Sequence, residues 1–209
     1  MTRYLLVRHG TTAWVDTNLL HGITDIPLNQ RGREQAATVA QALSDRDADK
    51  LYSSILSRCA ETAQIIGTST NLSPIMMDAL VEIDFGWLEG KPIRDHDNGE
   101  YSKLVEFFDH HYFNIVRAIS GESKSKFNKR VLNGWATITT QNPSGVVMVV
   151  AHSGVINTLL LHLFDTQYLN GNAYHHLNPC SITEVEVDLE GHAEMIKFND
   201  RSHIPENLQ

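Results

Sequence analysis

The chain has 209 residues, of which 42% are hydrophobic, and a formal net charge of −8 with its histidines neutral. This length supports one well-buried core and does not require a second domain. The acidic balance argues against binding to nucleic acid or to an anionic membrane surface, because both need a cationic face. No apolar run approaches the roughly 20 residues that span a bilayer.

The cysteines and the N-terminus indicate where the protein works. Cys59 and Cys180 are the two cysteines of the sequence and lie far apart in it. Without a disulfide framework, they are expected to be reduced thiols in a cytoplasmic protein. The first residues enter a strand pattern directly, without the apolar stretch of a signal peptide. The sequence leaves the oligomeric state open.

Strand and helix patterns alternate through the first half of the chain. The predicted strands are residues 4–7, 51–53 and the short apolar run 74–77, and the predicted helices are 31–43 and 57–67. Ser57 is expected to cap the second of these helices, with Glu61 as its capping partner. Residues 11–30 and 84–99 carry turn formers and no periodicity, and we expect loops there.

The second half completes an α/β pattern. Helical periodicity covers 101–119, 124–140 and 155–164, and residues 182–187 and 194–198 alternate as a closing hairpin. Residues 146–151 are apolar on both faces, which is typical of a central parallel strand. We therefore predict one domain over residues 1–209. It is a three-layer α/β/α sandwich with a mostly parallel central sheet, and the segment of about 91–142 forms a helical lid.

Polar side chains follow the ends of the predicted strands. Arg8 and His9 come directly after the first strand, His152 follows the 146–151 strand, and Arg58 begins the helix after the second strand. Ligands in open α/β sheets bind beyond the carboxyl ends of the strands. Two guanidinium groups and two imidazoles would suit a tetrahedral phosphoryl group, because Arg binds its oxygens bidentately and stays charged.

Four segments in the same order resemble the histidine phosphatase superfamily, which includes cofactor-dependent phosphoglycerate mutases and many small phosphatases. They are residues 6–10, 52–63, 80–90 and 150–155. The resemblance is weaker at residues 25–28 with Gly32, at residues 121–123, and at residues 199–200 with His203. Together these segments span nearly the whole chain, so the resemblance is specific.

The resemblance implies a mechanism and assigns the roles in it. His9 would attack phosphorus and form a phosphohistidine, while Arg8, Arg58 and His152 would bind the oxygens and stabilise the transition state. Glu82 would protonate the leaving group and then activate water, for which a partly buried loop beside Phe85 and Trp87 could raise its pKa. No metal and no organic cofactor is implied.

Two hydroxyl groups complete the predicted substrate site. Ser153, next to His152, is expected to bind substrate. Thr12, in the loop after Gly10, either offers its hydroxyl to the phosphoryl group or stabilises the turn, and the sequence leaves both readings open.

The chain departs from the family pattern in ways that bear on activity. Val15 stands where many relatives carry an asparagine that binds the phosphoryl group, and Thr11 stands where many have an acidic or another polar residue. Mutases carry an adjacent arginine pair and a proline cluster in the insert after the acid loop. Here the arginines of that insert (Arg94, Arg117 and Arg130) are scattered, which favours a phosphatase over a mutase.

Other hydrolytic chemistries lack the residues that they need. A cysteine-dependent phosphatase needs an arginine six residues after its cysteine, where this chain has Ile65 and Glu186. A nucleophile elbow needs glycine two residues before and after its serine, but Ala151 and Val155 flank Ser153.

We therefore predict a metal-independent phosphomonoesterase that acts on a small phosphorylated metabolite. Phosphoglycerate mutase activity and a catalytically impaired member that only binds a phosphorylated ligand or a protein remain alternatives. Substrate specificity is expected from residues 91–120. The pairs His110–His111 and His175–His176 are interpreted as surface residues, because helical neighbours point about 100° apart and chelate one metal poorly.

Overall fold

A computed structural model describes residues 1–92, 121–168 and 175–209 of the chain. The strands of this part are β1 (Thr2–Arg8), β2 (Lys50–Ser54), β3 (Ile75–Met77), β4 (Gly145–Ala151), β5 (Ile182–Val187) and β6 (Ala193–Asp200). Its α-helices are α1 (Ala13–Asp16), α2 (Gln30–Leu43), α3 (Ser57–Thr70), α4 (Lys124–Gln141) and α5 (Ser153–Tyr168).

The described strands form one six-stranded sheet in the order β3-β2-β4-β1-β5-β6. The neighbouring strands from β3 to β1 are parallel, whereas β5 and β6 form the antiparallel hairpin that the alternating pattern predicts. Arg8 pairs with Ala151, and Ser53 pairs with Val150. The carboxyl ends of β1, β2 and β4 therefore meet at one edge of the sheet.

Helices cover both faces of the sheet because the side chains of β1 alternate between them. Tyr4 and Leu6 pack with α4 and α5, where the ring centroids of Tyr4 and Trp135 are 4.4 Å apart. Leu5 and Val7 point the other way, into a core shared with α2 and α3. The predicted three-layer α/β/α sandwich is thus confirmed.

Helix α4 lies within the segment that we expected to form a lid, and it covers one face of the sheet. Phe127, Val131, Trp135 and Ile138 recur on its buried side. Residues 93–120 of that segment, which include the predicted helix 101–119, lie outside the described residues. The lid and the single-domain assignment therefore stay predictions.

The structure corrects the expected start of α3. Ser57 is the first helical residue and not its cap, and the N-cap residue Leu56 has no side chain that can accept a hydrogen bond. The carboxylate of Asp25, from a distant loop, accepts from both the backbone N (2.8 Å) and the hydroxyl of Ser57 (2.7 Å). Glu61, the expected capping partner, pairs with Arg33 on α2 instead.

The loop expected over residues 11–30 contains the single-turn helix α1. Thr12 caps this turn, because its hydroxyl oxygen accepts from the backbone N of Val15 at 3.2 Å. One turn is too short to produce a recognisable 3.6-residue period, so the sequence pattern could not reveal it.

Candidate active site

Residues that follow β1, β2 and β4 come together at the carboxyl edge of the sheet. Arg8 ends β1, and the backbone N of His9 donates to the carbonyl of Ala151 at 3.0 Å. The ring centroids of His9 and His152 are 5.2 Å apart. Arg58, in the first turn of α3, places Nε 3.3 Å from Nδ1 of His152.

The imidazole of His9 is oriented by a hydrogen bond from one of its ring nitrogens to a backbone carbonyl. Its Nδ1 lies 2.7 Å from the carbonyl oxygen of Gly10, and a carbonyl can only accept, so this nitrogen carries the hydrogen. Burial, and then the charges of Arg58 and Arg8, lower the pKa of His9 well below its ordinary value. His9 is therefore neutral at physiological pH, and its Nε2 lone pair can act as a nucleophile.

Gly10 is required where it stands. A Cβ on this residue would lie 2.5 Å from the carbonyl oxygen of Gly32 in α2. Any side chain would push this turn away from α2, and His9 would move with it.

Arg58 is fully buried and links the sheet edge to a loop. It is 1% exposed, and its terminal nitrogens donate to the carbonyls of Gly22 (2.6 Å) and Thr24 (3.0 Å). A guanidinium has five N–H donors, and these contacts together with the contact to His152 use three of them. Two donors therefore remain for a ligand.

His152 has a protein partner at each ring nitrogen. Nδ1 faces Arg58, and Nε2 lies 2.9 Å from the hydroxyl oxygen of Ser54 and 3.4 Å from Sγ of Cys59. Burial and the nearby Arg58 lower the pKa of His152 well below its usual range, so the ring is neutral. Burial also raises the pKa of the Cys59 thiol, which keeps it protonated and unsuited to act as a nucleophile.

Arg8 is half-buried and donates through Nη1 to the carbonyl of Leu177, in the segment before β5. Its charge acts on His9, on His152 and on Glu82, lowering the pKa of each. Arg8 therefore belongs to the same cluster of charges as Arg58.

Glu82 is buried at the N-terminal end of α5. Its carboxylate oxygens accept from the backbone N of Ile83 (2.9 Å) and of Gly154 (2.9 Å). Burial raises the pKa of Glu82, against the opposing effects of these hydrogen bonds and of Arg58 and Arg8. A carboxyl group with a raised pKa can donate a proton near neutral pH. The neighbouring Trp87 is 47% exposed, so this residue does not supply the burial that the sequence suggested.

Residues 4–201 match the histidine phosphatase superfamily (branch 1). The chain belongs to this superfamily. The predicted family is thus confirmed over almost the whole sequence.

Three relatives show what kinds of superfamily member the chain is similar to. "Uncharacterized phosphatase PhoE" of Bacillus subtilis is 32% identical over 163 residues, 78% of each chain. "Phosphoglycerate mutase-like protein 4" of Arabidopsis thaliana is 32% identical over 161 residues, which cover 74% of this chain and 68% of that protein. The crystal structure of Entamoeba histolytica phosphoserine phosphatase in complex with 3-phosphoglyceric acid has a TM-score of 0.77 and 27% identity, covering 98% of this chain and all of that one.

The two predicted hydroxyl ligands lie beside this superfamily site. The hydroxyl of Thr12 caps α1, so the turn-stabilising role is observed, whereas its contact to a phosphoryl group stays a prediction. Ser153 follows His152 at the start of α5, and its carbonyl accepts from Asn157 at 2.8 Å. Its role in substrate binding also stays a prediction.

Three residues near the site were missed by the sequence analysis: Ser54, Cys59 and His21. Ser54 and Cys59 lie within the segment 52–63, whose serines and cysteine gave no separate signal. The ring centroid of His21 lies 6.0 Å from that of His9. Its sequence signal was only a histidine in a long loop, which by itself is usually a surface residue.

The paired histidines have different surroundings where they are described. His176 is exposed, as predicted, but His175 is partly buried and packs edge-on against Phe198, with ring centroids 5.3 Å apart. Its backbone N donates to Asn157 at 2.7 Å. His110 and His111 lie outside the described residues.

Within the described residues, one group of side chains is close enough to share a metal ion: Asp188, Glu190 and His192, at the turn between β5 and β6. The group is largely exposed, and none of the predicted site residues belongs to it. Within the same ranges, no helix is long and apolar enough to cross a bilayer.

Proposed function

We propose that the protein is a metal-independent phosphomonoesterase that hydrolyses a small phosphorylated metabolite through a phosphohistidine at His9. The observation that carries this proposal is the convergence of a neutral, oriented His9 with Arg58 and His152 at one sheet edge. Membership of the superfamily and the similarity to a phosphoserine phosphatase support the class of substrate.

The first half-reaction transfers the phosphoryl group to the enzyme. Nε2 of His9 attacks phosphorus as the bond from phosphorus to the leaving oxygen breaks. Glu82 in its protonated form, which burial favours, gives its proton to that oxygen, and the alcohol departs. Arg8 and the two unused donors of Arg58 stabilise the charge on the equatorial oxygens.

The second half-reaction releases phosphate. The Glu82 carboxylate takes a proton from a water molecule, whose oxygen attacks phosphorus as the bond to Nε2 of His9 breaks. Inorganic phosphate leaves, Glu82 is protonated again, and His9 returns to its neutral form. Glu82 gives one proton in the first half-reaction and takes one back from water in the second, so no metal is needed to activate the water.

Turnover of an aryl phosphate with and without a chelator tests this proposal. We expect release of phosphate at the same rate in both conditions. Activity lost with the chelator would contradict the metal-independent mechanism, and interconversion of phosphoglycerates without phosphate release would identify a mutase. Binding of phosphate without turnover of any phosphomonoester would favour the impaired member that Val15 suggested. A panel of phosphorylated metabolites, phosphoserine among them, would then define the substrate.

We also infer a cytoplasmic location. Cys59 and Cys180 are both free and buried thiols, which suits a reducing compartment. Localisation of a tagged full-length chain by microscopy or by cell fractionation tests this inference.

A further inference from the structure

His21 lies in the loop between α1 and α2, and this loop is held firmly against the site. The carbonyl of Gly22 accepts from Arg58, and the carboxylate of Glu89 accepts from the backbone N of Ile23 (2.9 Å) and of Thr24 (2.7 Å). The imidazole of His21 also packs against Trp14, with ring centroids 5.4 Å apart. The position of His21 is therefore fixed by the contact of its own ring with Trp14 and by the contacts of the three residues that follow it.

The three imidazoles of the site differ in what their ring nitrogens contact. His9 uses Nδ1 to bind the Gly10 carbonyl and keeps Nε2 for phosphorus. His152 has Arg58 at Nδ1 and Ser54 at Nε2. Nδ1 of His21 lies 3.4 Å from the hydroxyl of Thr12, whereas its buried Nε2 has no hydrogen-bond partner in the described ranges 1–92, 121–168 and 175–209.

The charges that face His21 are positive. Burial, then Arg58 from α3 and Arg8 from β1, lower the pKa of His21 to about 3, and the rings of His9 and His152 face it uncharged. Two carboxylates in or beside this loop already accept hydrogen bonds: Glu89 from Ile23 and Thr24, and Asp25 from Ser57. In the absence of a ligand, His21 is therefore neutral.

We propose that His21 is a further binding residue for the phosphoryl group, through Nε2, and that its imidazole takes up one proton when a doubly charged oxyanion binds. This inference rests on the proposed function, since it requires an oxyanion between Arg8 and Arg58. Each opposite charge within about 4–6 Å moves a pKa by roughly 1–3 toward the charged form. Two negative charges would therefore bring the pKa of His21 from about 3 to near or above neutral.

When His21 is protonated, each of its two ring N–H groups has an acceptor. Nε2 donates to the oxyanion, and Nδ1 donates to the Thr12 hydroxyl, which has a second lone pair beside the one that receives the Val15 N–H. His152 is a poorer site for the same proton, because Nδ1 would have to give up the N–H of Arg58.

The binding of tungstate, which stays a dianion between pH 6 and 9 (approximately), tests this proposal without turnover. Calorimetric titration of the full chain in buffers of different ionisation enthalpy counts the protons taken up. We expect about one proton for the wild type at pH 7 and none for His21→Gln, which keeps an N–H donor but cannot titrate. Affinity for the wild type should fall by up to about tenfold per pH unit as pH rises toward the pKa of the bound state, and should level off above it. The affinity of His21→Gln should not change with pH.

His175→Gln is the matched control, because His175 also has a buried Nε2 that finds no partner in the described part of the chain. It should take up the same proton as the wild type. Equal uptake by His21→Gln and wild type, or no uptake by either, would overturn the role of His21 while leaving the phosphatase proposal intact. If tungstate bound to neither protein although both gave native circular dichroism spectra, the oxyanion site itself would be wrong, and both proposals would fall.

Discussion

Two sides of the candidate site are built in different ways. The floor consists of Ser54, Arg58, Cys59 and His152, which lie at or just beyond the ends of β2 and β4. Each nitrogen of the Arg58 and His152 side chains has a protein partner there, and all four residues are buried. The wall is residues 12–24, a loop with one helical turn. Its His21 has a buried ring nitrogen without a partner in the described ranges.

The floor is organised before any ligand binds, whereas the wall contains a group that can respond to one. Donors fixed before the reaction need no rearrangement when charge develops on phosphorus, and strand ends packed between two layers hold such donors well. The wall is held by the Glu89 carboxylate and, at its C-terminal end, by the contact of Asp25 with Ser57. It retains a ring nitrogen that a ligand could bind. We expect changes at the floor to reduce turnover strongly and changes at the wall to alter binding and stability.

The largest effect is expected for His9→Ala, which removes the nucleophile. Loss of a nucleophile that acts as a unit with its partners costs on the order of 10⁴-fold or more in turnover. In a quenched reaction with a substrate whose phosphate is radioactively labelled, the variant should take up no label. His152→Ala should be labelled more slowly but still be labelled, because His152 holds Arg58 in place and does not bond to phosphorus.

His192→Ala is the control for these variants, since His192 is exposed at the turn between β5 and β6. It should be labelled like the wild type. Persistent labelling of His9→Ala would mean that another residue is the nucleophile, and the mechanism would have to be assigned again.

Glu82→Gln tests the general acid, with an expected loss of about 10²–10⁴-fold for alkyl phosphates. The loss should be much smaller for an aryl phosphate, whose leaving group departs without a proton. Glu82 has a raised pKa and acts first in its protonated form, so wild-type activity on alkyl phosphates should fall as pH rises through that pKa. In Glu82→Gln, activity on alkyl phosphates should no longer show this decrease at alkaline pH.

A surface carboxyl provides the comparison for Glu82→Gln. Glu61→Gln changes a half-exposed residue that pairs with Arg33, and it should keep both the rate and the pH profile. An unchanged alkaline limb in Glu82→Gln would show that another group supplies the proton.

The arginines and histidines at the strand ends were far more predictable from the sequence than the loop that forms the wall. A central strand buried on both faces has a strong apolar pattern, and the abrupt polar residues after it mark Arg8, His9 and His152. The structure brings these side chains together because parallel strands end at one edge. The cap that Asp25 gives to α3 depends on a contact over 32 positions, which local patterns do not contain. The role of His21 likewise could not be predicted, because it depends on the charges of Arg58 and Arg8 that the fold places near it.

Val15→Asn tests whether the wall lacks a donor. Val15 is partly buried in α1, and the resemblance to the superfamily indicates an amide that binds phosphate at this position. One added hydrogen bond to a charged group contributes about 1.5 kcal/mol or more, which is roughly tenfold in affinity. We expect phosphate inhibition to tighten by about that factor, with a smaller effect on turnover. An unchanged inhibition constant would indicate that α1 does not face the ligand.

The smallest effect is expected for Asp25→Ala, which removes the cap of α3. Loss of a capping side chain costs about 1 kcal/mol, and Asp25 supplies the acceptor for both the backbone N and the hydroxyl of Ser57. For a chain of this size the midpoint of thermal unfolding should fall by about 2–4 °C. Asp45→Ala, at an exposed position outside the site, should leave the unfolding midpoint unchanged.

Because the same loop carries the Gly22 and Thr24 carbonyls that bind Arg58, we also expect weaker phosphate binding in Asp25→Ala. Weaker binding without a change in the unfolding midpoint would mean that Asp25 acts on the wall alone and that α3 starts equally well without it.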